Sequence, residues 1–579
     1  MTTAIERATT DILILGSGGA GLFAALHAHR ADPALDVTIA TKGLLGKCGC
    51  TRMVQGGYNV ALHKGDSVER HFMDTIEGGK WLPHQELAWT LVTRAVERVR
   101  ELENEIGCFF DRNPDGSLHG KAFAGQSFDR TVHKGDLTGI EIINRLMEQV
   151  WARPAIKRLE EHRALALIPA ADGSSVAGVL MADIRTGALR YIGARAVLLA
   201  TGGGPTMYRY HTPSGDKSMD GIAMALRAGL PLRDMEMVQF HPTGLLAGPD
   251  TRMTGTVLEE GLRGSGGHLL DGAMRRFMAD YDPDLERATR DVVSRAIYAE
   301  MRAGRTSPHG GVYIKMSHLG EARVAREFKG MVERCRDCGF DLAGGLVEVV
   351  PTAHYFMGGV ICEPDTATGW PGLFVAGEDA SGMHGANRLG GNGVANSTVF
   401  GGIAGDTMPT WIARNPASRA PDEHVLDAEI DRALYPFTRK PGDLNRLRER
   451  LLDTMWDHIG VIRDAPGIDR GIAALADIEA ELLTTGIPAG DRRFDLTWHD
   501  WLNLRSLVEV SQVIAQAAKA RENSRGAHFR ADFPAPGDLA SSRFTVARQQ
   551  AGRLTITEAP VCFTRVRPGE TLLTGAAAE

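Results

Sequence analysis

The stretch DILILGSGGAGLFAALHAHR, Asp11 to Arg30, constrains the fold more than any other part of the chain. Its apolar run from Asp11 to Leu15 reads as a strand, GSGGAG as a tight turn and the remainder as a helix, the context a dinucleotide fingerprint requires. Gly16 allows the turn, Gly18 lets the backbone approach a pyrophosphate, and Gly21 lets helix and strand pack closely. Ser17, Gly19 and Ala20 complete a loop whose amides meet the phosphate at the helix N-terminus. The segment therefore predicts an α/β, Rossmann-like sheet with a dinucleotide at its carboxyl edge.

Three more strands extend this sheet. DVTIAT ends at Thr41 and Lys42, where the acid that usually holds an adenosine ribose is missing, which argues against plain NAD binding. AVLLATGGG ends in glycines at Gly202 to Gly204 and GLFVAGE ends at Glu378, both as loops at the ligand-binding edge. Between the second and third strands, RALALIPAADGSSVAGVLMADIRTGALRYIGARAV alternates apolar and polar residues around DGS and RTG turns, as an inserted antiparallel meander would. From about Met235 to Gly344 the chain turns mixed and polar, which reads as an α+β capping domain inserted into the nucleotide domain. NRLRERLLDTMWDHIGVI, GIAALADIEAELL and LVEVSQVIAQAAKARENS then show helical spacing. The expected organisation is a nucleotide domain over 1–234 and 345–415, a capping domain over 235–344, a helical domain over 416–530, and short strands with a loose tail over 531–579.

Composition narrows the function classes. The 579 residues are 43% hydrophobic and 24% charged, as in a soluble enzyme with several cores. A net charge of −7 and no basic run give no attraction to nucleic acid. No apolar run approaches the roughly 20 residues that span a bilayer, and the start lacks a secretory pattern, so a cytoplasmic protein without direct membrane insertion is expected. Seven cysteines suggest no disulfide framework, and CRDC, Cys335 to Cys338, lacks the second half of a metal site and reads as structural.

Further motifs occur in a fixed order: FAGQSFDRT, ATGGG, EMVQFHPTG, EGLRGSGG, RDVVSRAI, PTAHYFMGG, GEDASGMHGANRLGGN and ENSRGAHFRADFP. With GSGGAG, this series resembles the flavoprotein subunit of succinate dehydrogenase and fumarate reductase, with L-aspartate oxidase as a near relative. The resemblance implies an FAD domain interrupted by a capping domain, and hydride transfer between flavin N5 and a carbon–carbon bond of a small dicarboxylate. It places FAD against Gly16 to Gly21, Thr41, Lys42, Gly43, Cys50, Thr51, Gln55, Gly56, Gly57, Thr201, Gly202, Asp220, Glu378, Arg388, Asn392 and Val394. It implies that His354 and Arg388 clamp one carboxylate, that His241 binds the other end and that Phe123 packs over the substrate. It also implies that Arg290 donates the proton, fed by Glu260. An arginine stays protonated to a pH of about 12, so this role needs proton supply through that relay. A separate iron-sulfur or ferredoxin-like partner is implied for electron transfer, with membrane association through a partner subunit.

Two positions depart from the family pattern. Where the family carries its flavin-linking histidine, ahead of the threonine preceding QGG, this chain has Cys50, so the resemblance leads to non-covalent FAD, with a cysteinyl-flavin bond or a Cys48/Cys50 thiol pair as chemical alternatives, and to a lower flavin potential that favours reduction of an alkene or reoxidation by another acceptor. Where the family has a threonine beside the relay glutamate, VLEEGLRG supplies Glu259. A buried anion facing a substrate anion is costly, so Glu259 either turns away, is protonated, or meets a neutral or cationic group. The last case keeps an alternative open, oxidation of an amino dicarboxylate as by L-aspartate oxidase, with oxygen or fumarate as acceptor.

Overall fold

The computed structural model describes residues 5–249 and 251–573. Its central strand, Glu6–Leu15, buries Ile12, Leu13 and Ile14 completely, as a strand covered on both faces must. It pairs in parallel with Val37–Thr41 on one side and Leu189–Leu199 on the other, and Ile156–Glu160 adds an edge beyond Val37–Thr41. The helix Gly19–Ala31 follows the glycine turn as expected. The edge strand IKRLE carries no apolar pattern, which is why the sequence alone does not disclose it.

The expected antiparallel meander is present and is built into the same sheet. Leu189–Leu199 pairs antiparallel with Val176–Asp183 through its first half, while Val197 to Leu199 pair in parallel with Leu373–Val375. At about 3.3 Å per residue this strand is long enough to serve two neighbours along one edge. His162–Pro169 then completes the antiparallel part, and one seven-stranded sheet results.

A second hydrophobic core gathers Leu258, Leu262, Phe277, Ile297, Ile314 and Met331. It sits under a four-stranded sheet of Val238–Leu245, Leu346–Phe356, Val312–Lys315 and His268–Leu270. The strand Leu346–Phe356 crosses between cores: Val347 and Val349 belong to the second, Val350, Ala353 and Phe356 to the first. Phe240 and Leu245 divide the same way on the paired strand. The change of core therefore falls inside a strand.

Four helices, Glu423–Leu434, Leu444–His458, Ala465–Thr484 and Leu496–Ala520, each begin after an aspartate, Asp422, Asp443, Asp464 or Asp495, whose carboxylate accepts from first-turn amides. Their buried faces, including Leu447, Ile468, Leu475 and Trp498, join the core of the nucleotide sheet. A hairpin, Arg543–Gln550 with Arg553–Pro560, pairs onto Leu232–Arg233. The tail beyond it, from 574 on, lies outside the described residues. Among those described, no helix is long and apolar enough to cross a membrane, and no cluster of metal-ligating side chains occurs.

Candidate active site

A cavity of about 410 Å³ runs from the glycine turn to the seam between the two cores. At its nucleotide end Gly16 has φ +116°, and a Cβ there would collide with the Ala200 carbonyl. A Cβ on Gly21 would collide with the Gly16 carbonyl, whereas at Gly18 the nearest atom is Thr51 Oγ1 at 3.7 Å. The first and third glycines are thus required by the protein itself, and the middle one leaves a cradle open to the cavity. Two helices, Gly19–Ala31 and Asn392–Arg414, direct their N-termini here, which favours negative charge.

Ser17, Gly19, Ala20, Thr41, Lys42, Cys50, Thr51, Gln55, Gly56, Gly57, Thr201, Gly202, Asp220, Glu378 and Val394 line the cavity with Gly16 and Gly18. Gly21, Gly43 and Asn392 lie off its wall. Asn392 is committed elsewhere, accepting from Asn59 Nδ2 at 2.8 Å and donating to Thr75 Oγ1 at 3.1 Å. Lys42 is not free at its strand end either. Its Nζ donates to Asp220 at 3.0 Å, Ser218 at 3.1 Å and Asn503 at 3.2 Å. Burial draws this ammonium down to about 8 against the pull of Asp220. Burial raises the Glu378 carboxyl to about 7, although it accepts from the Phe356 amide at 2.9 Å.

The cysteine loop forms a single turn, Cys50–Met53, tied to the glycine turn where the Gly19 amide donates to Thr51 Oγ1 at 3.2 Å. Burial, then Glu378, pushes the Cys50 thiol up to about 12, so it is a thiol and not a thiolate near neutral pH. Cys48 and Cys50 are free, as are Cys335, buried in the second core, and Cys338.

The far end of the cavity is built on the two strands that cross between the cores. They carry His241 and His354, with ring centroids 5.4 Å apart. The Thr243 amide donates to His241 Nδ1 at 3.3 Å, which puts the proton of the neutral ring on Nε2. Thr212 Oγ1 meets His354 Nδ1 at 2.8 Å. Burial, reinforced by Arg290, keeps both rings neutral, well below the usual histidine range. Arg388 lies over the Tyr355 ring at 4.3 Å, and its buried Nε has no partner. Burial, then Arg290, lowers it to about 10, still protonated at neutral pH.

Arg290 opens the helix Arg290–Arg302, donates through Nε to Glu260 Oε2 at 2.8 Å and through Nη1 to Gln239 at 3.1 Å. Burial alone would raise the Glu260 carboxyl, but Arg290 and Arg263 outweigh it and hold it low. Glu260 Oε1 has no hydrogen-bond partner. Phe123 fills the space a Cβ on Gly56 or Gly390 would occupy and forms part of the wall. Glu259 also lines the cavity, but its Oε1 accepts from Lys121 Nζ at 2.6 Å, a counter-ion set against the burial that raises its carboxyl. The amino dicarboxylate alternative loses its motive.

Several wall residues escaped sequence reasoning. Arg163 donates to Asp220 at 2.7 Å, and Arg334, within the CRDC helix, packs against Gln55 while donating to Val257 O at 2.9 Å. Lys217 sits in a segment without helix or strand periodicity. None carries a local motif.

The comparisons agree with this geometry. A family model described as "FAD binding domain" matches residues 11–394, and one described as "Fumarate reductase flavoprotein C-term" matches 448–572. The chain is 39% identical to an FAD-dependent oxidoreductase of Methanocaldococcus jannaschii over 91% of this chain and 94% of the relative. It is 33% identical to the fumarate reductase flavoprotein subunit of Mycobacterium tuberculosis, over 97% of this chain and 98% of that one. A quinol fumarate reductase structure from E. coli superposes with a TM-score of 0.92 at 32% identity, covering 98% of this chain and 99% of the other. With the fold, the cavity and these likenesses in agreement, the chain belongs to the succinate dehydrogenase and fumarate reductase flavoprotein family of FAD-dependent oxidoreductases acting on CH–CH groups.

Proposed function

We propose that this protein reduces the double bond of a small dicarboxylate of the fumarate type, with FAD held non-covalently. The observation that carries the reading is the meeting of His241, His354, Arg388 and the Arg290–Glu260 pair on one wall of the cavity that begins at the dinucleotide turn. The cradle at Gly18, the amides of the Thr51 to Gly57 loop, and Glu378 on the same wall suit FAD. When bound, FAD supplies hydride exchange at its N5. The cysteine at position 50 offers no histidyl link, and its thiol, protonated near neutral pH, is a poor nucleophile.

The residues divide the remaining work. Arg388, whose planar fork retains an unpartnered Nε, binds one carboxylate with His354. His241 offers its Nε2–H to the other end. Holding both ends keeps the reacting bond in register, and Phe123 covers it. Arg290 delivers a proton to carbon, and the Glu260 carboxylate then takes up a proton and passes it on to restore the guanidinium; its Oε1 makes no hydrogen bond and lies 3.5 Å from Arg263 Nη2.

Electrons reach the site from a separate electron-transfer protein, a reading supported by relatives that are named as flavoprotein subunits. The test is anaerobic flavin spectroscopy of the reduced holoprotein. Addition of fumarate should restore the oxidised spectrum, and L-aspartate should not reduce the oxidised one. A flavin indifferent to every dicarboxylate would end the proposal. Mild purification from the native host, followed by iron analysis and identification of co-eluting chains, tests the partner.

A further inference from the structure

We propose that Lys121 is a positioning residue that makes the cavity accept a carboxylate by neutralising Glu259; this rests on the dicarboxylate reading above. Glu259 is 2% exposed and lines the cavity beside Glu260. It belongs to the wall built on the second core, just before the turn Gly261–Gly264. Lys121 comes from outside the second core, on the two-residue strand Gly120–Lys121, which pairs with Thr131–Val132 of the three-stranded sheet bearing Tyr58–Asn59. Its Nζ donates to Glu259 Oε1 at 2.6 Å and to the Gly135 carbonyl at 2.8 Å, so the ammonium is fixed by both. The pair therefore ties this short strand to the wall built on the second core.

The charges around Glu259 make this counter-ion necessary. Burial raises the Glu259 carboxyl, Asp136 and Glu260 add to this as like charges, and Lys121 is the cation that opposes them. Glu260 is itself balanced by Arg290 and Arg263. Remove Lys121, and above the pH at which Glu259 gives up its proton a substrate carboxylate entering this end meets a buried, unbalanced carboxylate in a poorly screened site. Such a repulsion weakens binding on the order of 100-fold. A chemical step set by Arg290 and Arg388 is not altered in the same proportion.

The test measures malonate binding to the holoprotein by flavin difference spectra, alongside KM and kcat for fumarate. At a pH high enough to ionise Glu259, Lys121→Met should weaken malonate and raise KM about 100-fold while kcat changes by less than about tenfold. In that variant binding should recover as pH falls, because Glu259 takes up a proton while Glu260 stays paired. Lys121→Arg should bind like the parent, and the double variant K121M/E259Q should restore binding, having neither charge. The double variant also answers for folding, since it lacks the lysine yet leaves no orphan anion. Parent-like malonate affinity in Lys121→Met, or a double variant as weak as the single, would overturn the inference. If the parent itself binds no malonate and turns over no dicarboxylate, the functional reading falls first and takes this inference with it.

Discussion

Replacing Arg290 separates proton delivery from the rest of the site. The guanidinium is 7% exposed, holds Glu260 through Nε and Nη2, and reaches Gln239 through Nη1. Arg290→Ala leaves Glu260 with Arg263 at 3.5 Å as its nearest cation. Two effects follow. Loss of a positioned acid slows turnover roughly 10²- to 10⁴-fold, which is about 3 to 5 kcal/mol in activation free energy. Breaking a buried ion pair costs about 3–5 kcal/mol of stability. Arg290→Lys keeps the charge but cannot span Glu260 and Gln239 together, so it should recover stability more than rate. The assay is fumarate-dependent oxidation of a reduced viologen dye, with flavin-to-protein ratio and Tm recorded for each variant. Flavin content should stay at the parent level, because the FAD cradle lies at Gly18 and the Thr51 loop. An Arg290→Ala protein that retains flavin and turns over within about tenfold of the parent would refute proton donation by this residue. A variant that folds but loses its flavin would instead make Arg290 structural.

Three other outcomes follow from the geometry. Acid denaturation should release yellow flavin into the supernatant, and flavin fluorescence travelling with the polypeptide on a denaturing gel would point to a bond at Cys50. Gly18→Ala should leave the flavin-free Tm nearly unchanged yet impair FAD binding, since its Cβ meets only Thr51 Oγ1 at 3.7 Å. Gly21→Ala, which collides with the Gly16 carbonyl, should lower Tm even without flavin; equal behaviour of the two variants would contradict the assignment of the turn. In the flavin-free protein, burial raises Glu378 from 4.5 to about 7, so the folded state holds that proton more tightly than the unfolded chain. Its contribution is complete below pH 4.5 and is lost as pH rises towards 7. Glu378→Gln should therefore abolish up to about 3 kcal/mol of the fall in stability across that window, as measured by denaturant titration at several pH values.

Much of this protein is legible along the chain. The strand, glycine turn and helix at its start specify the nucleotide edge because close backbone approach leaves no room for a side chain at Gly16 or Gly21. The helical periods after residue 440 mark Leu444–His458, Ala465–Thr484 and Leu496–Ala520 because burial on one face repeats with the helical turn. The histidines, arginines and glutamates of the far end stand in recognisable motifs.

What the chain conceals are relations between distant segments. Sequence reasoning could state that Glu259 needed relief, but its partner lies 138 residues away on a strand of two residues. Nothing local distinguishes that lysine from others. Lys42 and Asp220 both read as cofactor residues, and only packing shows that they neutralise each other. Asn392 sits in a cofactor motif, yet its amide is drawn into bonds with Asn59 and Thr75. The strands Val238–Leu245 and Leu346–Phe356 are buried along nearly their whole length, and only their pairing, with a register shift between His241 and Gly244, shows where one core gives way to the other. Local spacing encodes local geometry, because backbone periods and steric exclusion act between neighbours. Which charges meet, and which face a cavity, is decided by the tertiary packing that brings remote segments together.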